Sequence, residues 1–136
     1  VSTAETRIIV AKTGSGALSY AFVQYGGQLA LYVSNDGTAM DGAALTGGVL
    51  TAGEWQHVTA AYDGSALKIY RNHSLVGEGS FTLNLHRGAA PLTIGGGFID
   101  GSSGHYFHGA IDEVKLYGRD LTYSSPVSQV YTLPLG

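Results

Sequence analysis

One segment, residues 53–72 with the sequence GEWQHVTAAYDGSALKIYRN, constrains the fold of this chain most strongly. From position 56 to 62 mostly apolar residues occupy the even positions, while the odd positions face the other side. This period of two is typical of a half-buried β-strand. Asp63-Gly64 then supplies residues that tolerate a positive φ, and the alternation resumes at Leu67. The segment therefore predicts two antiparallel strands joined by a short turn.

Short alternating or β-branched segments recur along the rest of the chain. They are separated by glycine, asparagine and aspartate residues, which favour turns. Roughly ten strands, spaced by about 8–12 residues, predict an all-β fold, a two-sheet antiparallel β-sandwich or jelly roll. The further strands that the pattern predicts are 6–12, 18–25, 28–34, 75–76, 81–85, 92–94 and 110–117.

Three segments give weaker signals. Residues 38–52 are rich in Gly, Ala and Thr, and they predict a loop with one weak strand near Val49. Residues 98–109 predict a polar, aromatic loop. The tail SSPVSQVYTL, residues 124–133, predicts one helical turn, because serine favours the N-cap and proline the first helical position.

Composition limits the class of protein. The chain has 136 residues, of which 44% are hydrophobic and 12% charged, and this predicts a single compact domain. Seven basic and ten acidic residues give a net charge of −3 without a basic cluster, which argues against nucleic acid as a partner. No apolar run approaches the roughly 20 residues of a membrane span. The absence of cysteine excludes disulfides and thiolate metal sites.

Three blocks in order, GEWQHVTAAYDGSALKIYRN, PLTIGG and FHGAIDEVKLYGRDLT, carry a family resemblance. From about Ile8 to Tyr131 the chain resembles the laminin-G-like (LamG-like jelly roll) domains of the concanavalin A-like lectin and glucanase superfamily. The resemblance implies one concanavalin A-like β-sandwich domain over residues 1–136. It also implies a non-catalytic carbohydrate-binding (lectin) or adhesion module of a larger extracellular or secreted protein. A structural domain that binds only other proteins is the alternative.

Two departures from the family pattern lead to further predictions. Family members usually open with a strand pair before the segment corresponding to Arg7–Lys12, and this chain has none there. The domain is therefore predicted to be incomplete at its N-terminus, with an upstream segment or another chain supplying strands to the open sheets. The second departure is Asn72-His73, where the family often has Asp-Gly. Histidine adopts a positive φ less readily, so this turn is predicted to be longer or strained.

The carboxylates do not form the pattern of a glycan hydrolase. Hydrolases of the same superfamily carry a Glu-x-Asp-x-Glu type of spacing on one strand, and retaining chemistry needs two carboxyl groups about 5 Å apart. None of the ten acidic residues repeats that spacing on a predicted strand. A Ser-His-Asp arrangement stays open, although no G-x-S-x-G elbow is present. We therefore predict that the protein is not an enzyme.

Asp112 is the first candidate metal ligand. It shares a predicted strand face with Val114 and Leu116, so its carboxylate is expected to point toward the interior. A buried carboxylate needs hydrogen bonds or a metal, and nearby loop amides are the simpler partners. The other partner is a structural Ca²⁺, which takes six to eight oxygen ligands. The family resemblance implies such a calcium at a loop rim, with Asp100 as a second ligand.

Aromatic and polar loop residues form the predicted carbohydrate-binding site. His105 and Tyr106 lie in a glycine-flanked loop, where recognition residues are often found, and Tyr25, Asn35 and Asp36 lie near turns. We expect these residues to contact a glycan by ring stacking and hydrogen bonds. Simple packing of the loop is the alternative.

Trp55 and His57 are predicted to support the fold. The fixed place of Trp55 in the family block favours packing beneath a loop over a role as a sugar platform. His57 is expected to be a hydrogen-bonded scaffold residue rather than a metal ligand. The pair His105 and His108 has histidine spacing but no accompanying carboxylates, so zinc is not expected there.

Overall fold

The computed structural model describes residues 5–45, 50–99, 101–117 and 129–134, the last range through its backbone. These residues form twelve β-strands and no helix. The strands are β1 (Thr6–Lys12), β2 (Tyr20–Tyr25), β3 (Gln28–Val33), β4 (Gly42–Leu45), β5 (Trp55–Tyr62), β6 (Ala66–Arg71), β7 (Ser74–Ser80), β8 (Leu92–Ile94), β9 (Gly97–Ile99), β10 (Ser102–Gly104), β11 (Asp112–Leu116) and β12 (Gln129–Pro134).

The strands assemble into two five-stranded sheets and one separate hairpin. Sheet A has the order β4-β3-β2-β1-β8, and sheet B has the order β11-β12-β5-β6-β7. All of their pairings are antiparallel, and β9 pairs with β10 in the hairpin. This arrangement confirms the predicted all-β, two-sheet antiparallel sandwich. None of the described residues belongs to a helix long and apolar enough to cross a membrane.

The main core lies between the two sheets. The alternation in β5 and β6 places one face of each strand inside, as the sequence predicts, and burial of one large aliphatic side chain contributes about 1.5–3 kcal/mol. Buried side chains from both sheets meet in this layer: Ile9, Val10, Phe22, Leu29, Leu31, Val33, Val58, Ala60, Leu67 and Ile69.

A second apolar cluster covers the outer face of sheet A. The hairpin β9–β10 supplies Ile99, which packs against Ile8 and small residues of β1 to β3. Two hydrogen bonds fasten the hairpin region to β1 and the residue after it: the Ile8 amide donates to the His105 carbonyl at 2.8 Å, and the hydroxyl of Thr13, just beyond β1, donates to the Phe98 carbonyl. The hairpin therefore stabilises the loop that follows it.

The two sides of the sandwich differ. Edge strands β4 and β7 approach so closely that a Cβ on Gly79 would lie 2.0 Å from the Ala43 carbonyl oxygen. On the other side, β8 and β11 are the outermost described strands of their sheets. Their apolar residues are solvent-accessible, with Ile94 53% and Leu116 40% exposed. One side is thus closed by backbone contact, whereas on the other side β8 and β11 are edge strands among the residues that the structure describes.

Several weaker predictions differ from the structure. The strand within residues 38–52 is β4, while Val49 lies outside the described residues. Residues 81–85 form no strand, because Phe81 turns inward against Tyr62, with ring centroids 5.6 Å apart. The predicted loop 98–109 contains most of the β9–β10 hairpin. In the tail, Gln129–Pro134 is a strand rather than a helical turn, and residues 124–128 lie outside the described residues.

The turn between β6 and β7 has two residues and both have a positive φ. Asn72 has φ 49° and His73 has φ 70°, so the turn is not longer than usual, and its strain falls on His73. Asn72 compensates through two hydrogen bonds to His57: its amide donates to the His57 carbonyl at 2.7 Å, and its Oδ1 accepts from the His57 amide at 2.9 Å.

Candidate functional site

The first candidate site is a platform formed by the ring of Tyr106. This side chain is 72% exposed, the most exposed of the large hydrophobic residues described. One edge of the ring lies against the backbone of Gly96, where an added Cβ would be 2.8 Å from Tyr106 Cδ1. The ring therefore has backbone along one edge, and most of its remaining surface is accessible to solvent. A supported and accessible aromatic ring suits stacking against an apolar ligand face.

His105 holds this platform in place. Its φ of 53° is uncommon for a residue other than glycine. Its Nδ1 lies 3.3 Å from the Thr6 carbonyl oxygen, and its Nε2 lies 3.1 Å from the Ser102 hydroxyl. The ring thus bridges β1 and β10, and His105 positions Tyr106 while its own side chain is engaged by the scaffold.

Charged and polar groups surround the platform end of β1. Arg7 donates to Glu5 at 2.6 Å, and the hydrogen bond and charge of Arg7 hold the pKa of the Glu5 carboxyl below its usual range. The exposed His108 contributes to the same effect. Tyr25 pairs with Thr6 across the β1–β2 ladder and packs against the outer cluster of sheet A. It therefore belongs to the same end of the sheet as His105.

Asn35 and Asp36 lie at the opposite end of sheet A. They follow Val33, which pairs with Tyr20 at the far end of β2 from Tyr25. Five strand steps separate the two ends of β2, about 17 Å at the usual rise per residue. The five predicted carbohydrate-binding residues consequently occupy two separate places and do not form one rim.

The side chains of Asn35 and Asp36 hold their own loop. Asn35 Nδ2 donates to the Asn84 carbonyl at 3.2 Å. Asp36 Oδ1 accepts from the amide and hydroxyl of Thr38, both at 2.8 Å, and these bonds hold the pKa of the Asp36 carboxyl below its usual range. Such a turn is the ordinary structural use of aspartate in a loop.

A cavity of about 880 Å³ lies next to that loop, between the two sheets at the Lys12 end of the sandwich. Its residues come from six separate stretches of the chain, which no local pattern joins, so the sequence alone does not reveal it. Apolar side chains of both sheets form its inner wall and polar groups form its mouth: Leu31, Val33, Ala60 and Tyr62, with Lys12, Asn84, His86 and Arg87.

The predicted inward orientation of Asp112 is wrong. The side chain is exposed, and its Oδ1 accepts from the Glu113 amide at 2.8 Å. The register of β11 shifts between Asp112 and Lys115, and Glu113 has φ 54°, so the simple alternation fails at this point. Asp100, the second predicted calcium ligand, lies outside the described residues.

Trp55 and His57 also differ from expectation. Trp55 is 54% exposed, so its predicted packing beneath a loop is wrong. His57 is a scaffold residue, but its Nδ1 is buried without a hydrogen-bond partner, and the ring stacks on His73 with centroids 4.4 Å apart. Burial, together with the nearby His73 and Lys115, lowers the pKa of His57.

The fold defines a two-sheet antiparallel β-sandwich module. The family model described as the concanavalin A-like lectin/glucanases superfamily, a laminin-G type, matches residues 1–125. The chain therefore belongs to this superfamily, whose laminin-G-like domains are generally non-catalytic binding modules, typically in extracellular proteins. Comparison with curated proteins and with solved structures gave no match.

Proposed function

We propose that this domain binds carbohydrate through the Tyr106 platform. The observation that carries the proposal is the 72% exposed ring of Tyr106, supported along one edge by Gly96 and fixed by the anchored His105. The C–H face of a pyranose ring stacks on such a surface, and the nearby Glu5, Arg7 and His108 offer hydrogen bonds to its hydroxyl groups. Binding is shallow, and the domain acts as a targeting or adhesion module.

The family supports an extracellular location for this activity. A weak sugar site of this kind is most effective when the protein that contains the domain holds it near a glycan-bearing surface. Linking the domain to another binding module raises the effective concentration at which it meets the glycan. We therefore place the module outside the cell, in a larger secreted protein.

A glycan array followed by titration calorimetry tests the proposal. The natural domain is expected to bind at least one saccharide class, and Tyr106→Ala to lose tenfold or more in affinity, about 1.4 kcal/mol. Tyr106→Phe keeps the ring and should retain most of the binding. Trp55→Ala is the matched control, because it removes an exposed aromatic ring from sheet B. Loss of binding in Trp55→Ala but not in Tyr106→Ala contradicts the proposal.

A second candidate function is the addition of strands from an upstream segment or another chain. β8 and β11 are the outermost described strands of their sheets, and this position and the accessible side chains of Ile94 and Leu116 favour it. In sheet B, β5 lies between the chain's own strands β12 and β6. An added strand would therefore pair with β11 in sheet B or with β8 in sheet A. The predicted requirement for added strands stays a prediction.

Light scattering distinguishes this second candidate. If the natural domain self-associates or binds a partner through these edges, the double variant Ile94→Lys and Leu116→Lys should be monomeric. Charge on an edge strand opposes pairing with another strand. Leu45→Lys is the control, because the exposed side chain of Leu45 belongs to β4, on the side of the sandwich that is closed by contact with β7. A monomeric natural domain that gains no mass with the adjoining segment of its parent protein contradicts the candidate.

Calcium binding stays a separate proposal. Asp112 brings one exposed carboxylate, and no group of three His, Asp or Glu side chains converges anywhere in the described ranges. These residues alone do not complete the six to eight oxygens that Ca²⁺ requires. If the ion binds, millimolar calcium should raise the unfolding midpoint relative to a chelator, and Asp112→Asn should abolish the rise. An unchanged midpoint contradicts calcium binding.

A further inference from the structure

The cavity at the Lys12 end carries a second binding site, remote from Tyr106. We infer that it binds a small amphipathic carboxylate, a molecule with an apolar body and one anionic group. Its volume, about 880 Å³, lies in the range of small-molecule sites, roughly 300–1,000 Å³. The proposal does not depend on carbohydrate binding.

The inner wall of the cavity suits an apolar body. Leu31 and Val33 of sheet A face Ala60 of sheet B across it, and all three are part of the main core. Tyr62 forms one flank, and its hydroxyl donates to the Leu83 carbonyl at 2.6 Å, so its polar tip is already satisfied. A ligand in this place contacts carbon atoms on both sides and gains the free energy of apolar burial.

The mouth of the cavity is cationic. Lys12 and Arg87, two of the seven basic residues of a chain with net charge −3, both line it, and His86 lies beside them. No aspartate or glutamate is among its described lining residues. A cationic mouth on a protein whose net charge is negative favours the binding of an anion at this place.

The cationic groups differ in how firmly they are held. Lys12 Nζ donates to the Ala90 carbonyl at 2.5 Å, which fixes the ammonium group and leaves its other N–H bonds for a ligand. His86 is fixed by the Gly37 backbone, where an added Cβ would lie 2.7 Å from its Nε2. Within the described part of the chain, the Arg87 guanidinium makes no hydrogen bond or ion pair. Guanidinium groups bind carboxylates in a two-pronged geometry, so Arg87 is the expected primary contact.

Titration of the ¹⁵N-labelled domain with octanoate, followed by NMR, tests the inference. Saturable amide shifts are expected at Lys12, Tyr20 and residues 84–88, and 1-octanol should bind at least tenfold more weakly. Arg87→Gln should weaken octanoate binding at least fivefold. Arg71→Gln, which removes a guanidinium from β6, is the matched control and should leave the affinity unchanged.

Three results overturn the inference. The first is the absence of saturable shifts with octanoate. The second is equal binding of octanoate and 1-octanol, or equal affinity of the natural domain and Arg87→Gln, since the charge would then play no part. The third is a set of shifts centred on residues 105–108, which would assign the ligand to the platform instead.

Discussion

Asn72 and His73 show how one residue compensates for the strain of its neighbour. A histidine with φ 70° costs about 1–3 kcal/mol in a sparsely populated conformation. Stacking on His57 returns about 0.5–1.5 kcal/mol if the imidazole pair behaves like other aromatic pairs. The two hydrogen bonds between Asn72 and the His57 backbone also stabilise the turn, each by about 0.5–1.5 kcal/mol.

Asn72→Ala is therefore expected to destabilise the domain by about 1–3 kcal/mol. The substitution removes the acceptor for the His57 amide and places alanine at φ 49°, which alanine adopts poorly. Urea unfolding measures the change. Asn84→Ala is the control and should change the free energy of unfolding by less than about 0.5 kcal/mol. Asn84 is a loop asparagine whose backbone carbonyl, rather than its side chain, accepts a hydrogen bond. Equal stability of Asn72→Ala and the natural domain contradicts this account.

His57 makes the stability depend on pH. Its pKa in the folded domain lies below the ordinary value of 6.5, so the folded state binds fewer protons than the unfolded state. The stability that His57 contributes is present above pH 6.5 and is lost as the pH falls through the pKa that His57 has in the folded domain. Thermal unfolding at pH 7.5 and 5.5 should show a lower midpoint at pH 5.5, and His57→Gln should reduce that difference.

The exposed His108 provides the control for this pH dependence. His108→Gln should preserve the difference between pH 7.5 and 5.5. Asp63, whose pKa is lowered by hydrogen bonds from the Ala66 and Ser65 amides, loses its contribution only below about pH 4. A fall in midpoint confined to that acidic range contradicts the role of His57.

At the scale of elements, the β9–β10 hairpin determines where the platform lies. His105 contributes to its attachment to β1, since its carbonyl accepts from the Ile8 amide and its ring contacts Thr6 and Ser102. The hairpin has few bulky residues, and this is why its sequence resembles a loop. Its strands are recognisable only once Ile99 has a sheet surface to cover.

His105→Ala should release this attachment. Hydrogen exchange at the Ile8 amide is expected to accelerate at least tenfold, because the acceptor loop loses both of its side-chain anchors. Saccharide binding by Tyr106 should weaken in parallel. Ser103→Ala, an exposed change in the same hairpin, should leave the Ile8 amide protected. Unchanged exchange in His105→Ala contradicts the anchoring role.

The sequence predicts a strand correctly where apolar and polar residues keep alternating along it. In β5 and β6 one face is buried continuously, so the sequence pattern and the structure agree. In β11 the shift after Asp112 and the positive φ of Glu113 break the period, and the carboxylate predicted to point inward is exposed. Tyr106 and His105 could be predicted as binding residues because their loop position is visible in the sequence, and this role stays a prediction, whereas the cavity required residues that only the folded sheets bring together.

At the scale of the whole molecule, Gly79 keeps the closed side of the sandwich intact. Alanine in a strand is ordinarily more stable than glycine by about 0.5–1 kcal/mol. Here its Cβ would meet the Ala43 carbonyl oxygen, a backbone atom that cannot rotate away. Gly79→Ala should therefore destabilise the domain by about 1–3 kcal/mol, reversing the sign expected from propensity.

Chemical denaturation again provides the measurement. Glu78→Ala, at the adjacent position in β7, is the matched control and should change stability by less than about 0.5 kcal/mol, since it removes only a loose surface ion pair of 3.9 Å. A Gly79→Ala variant more stable than the natural domain would show that the sheets do not meet at this point.

The close approach of β4 and β7 also determines how the two layers can move. Because no atom can be added at that contact, we expect the two layers to be held most tightly there and to separate more easily at the opposite margin. We accordingly expect slow opening of the interior, and the entry or escape of a small ligand, at the margin that carries β8 and β11.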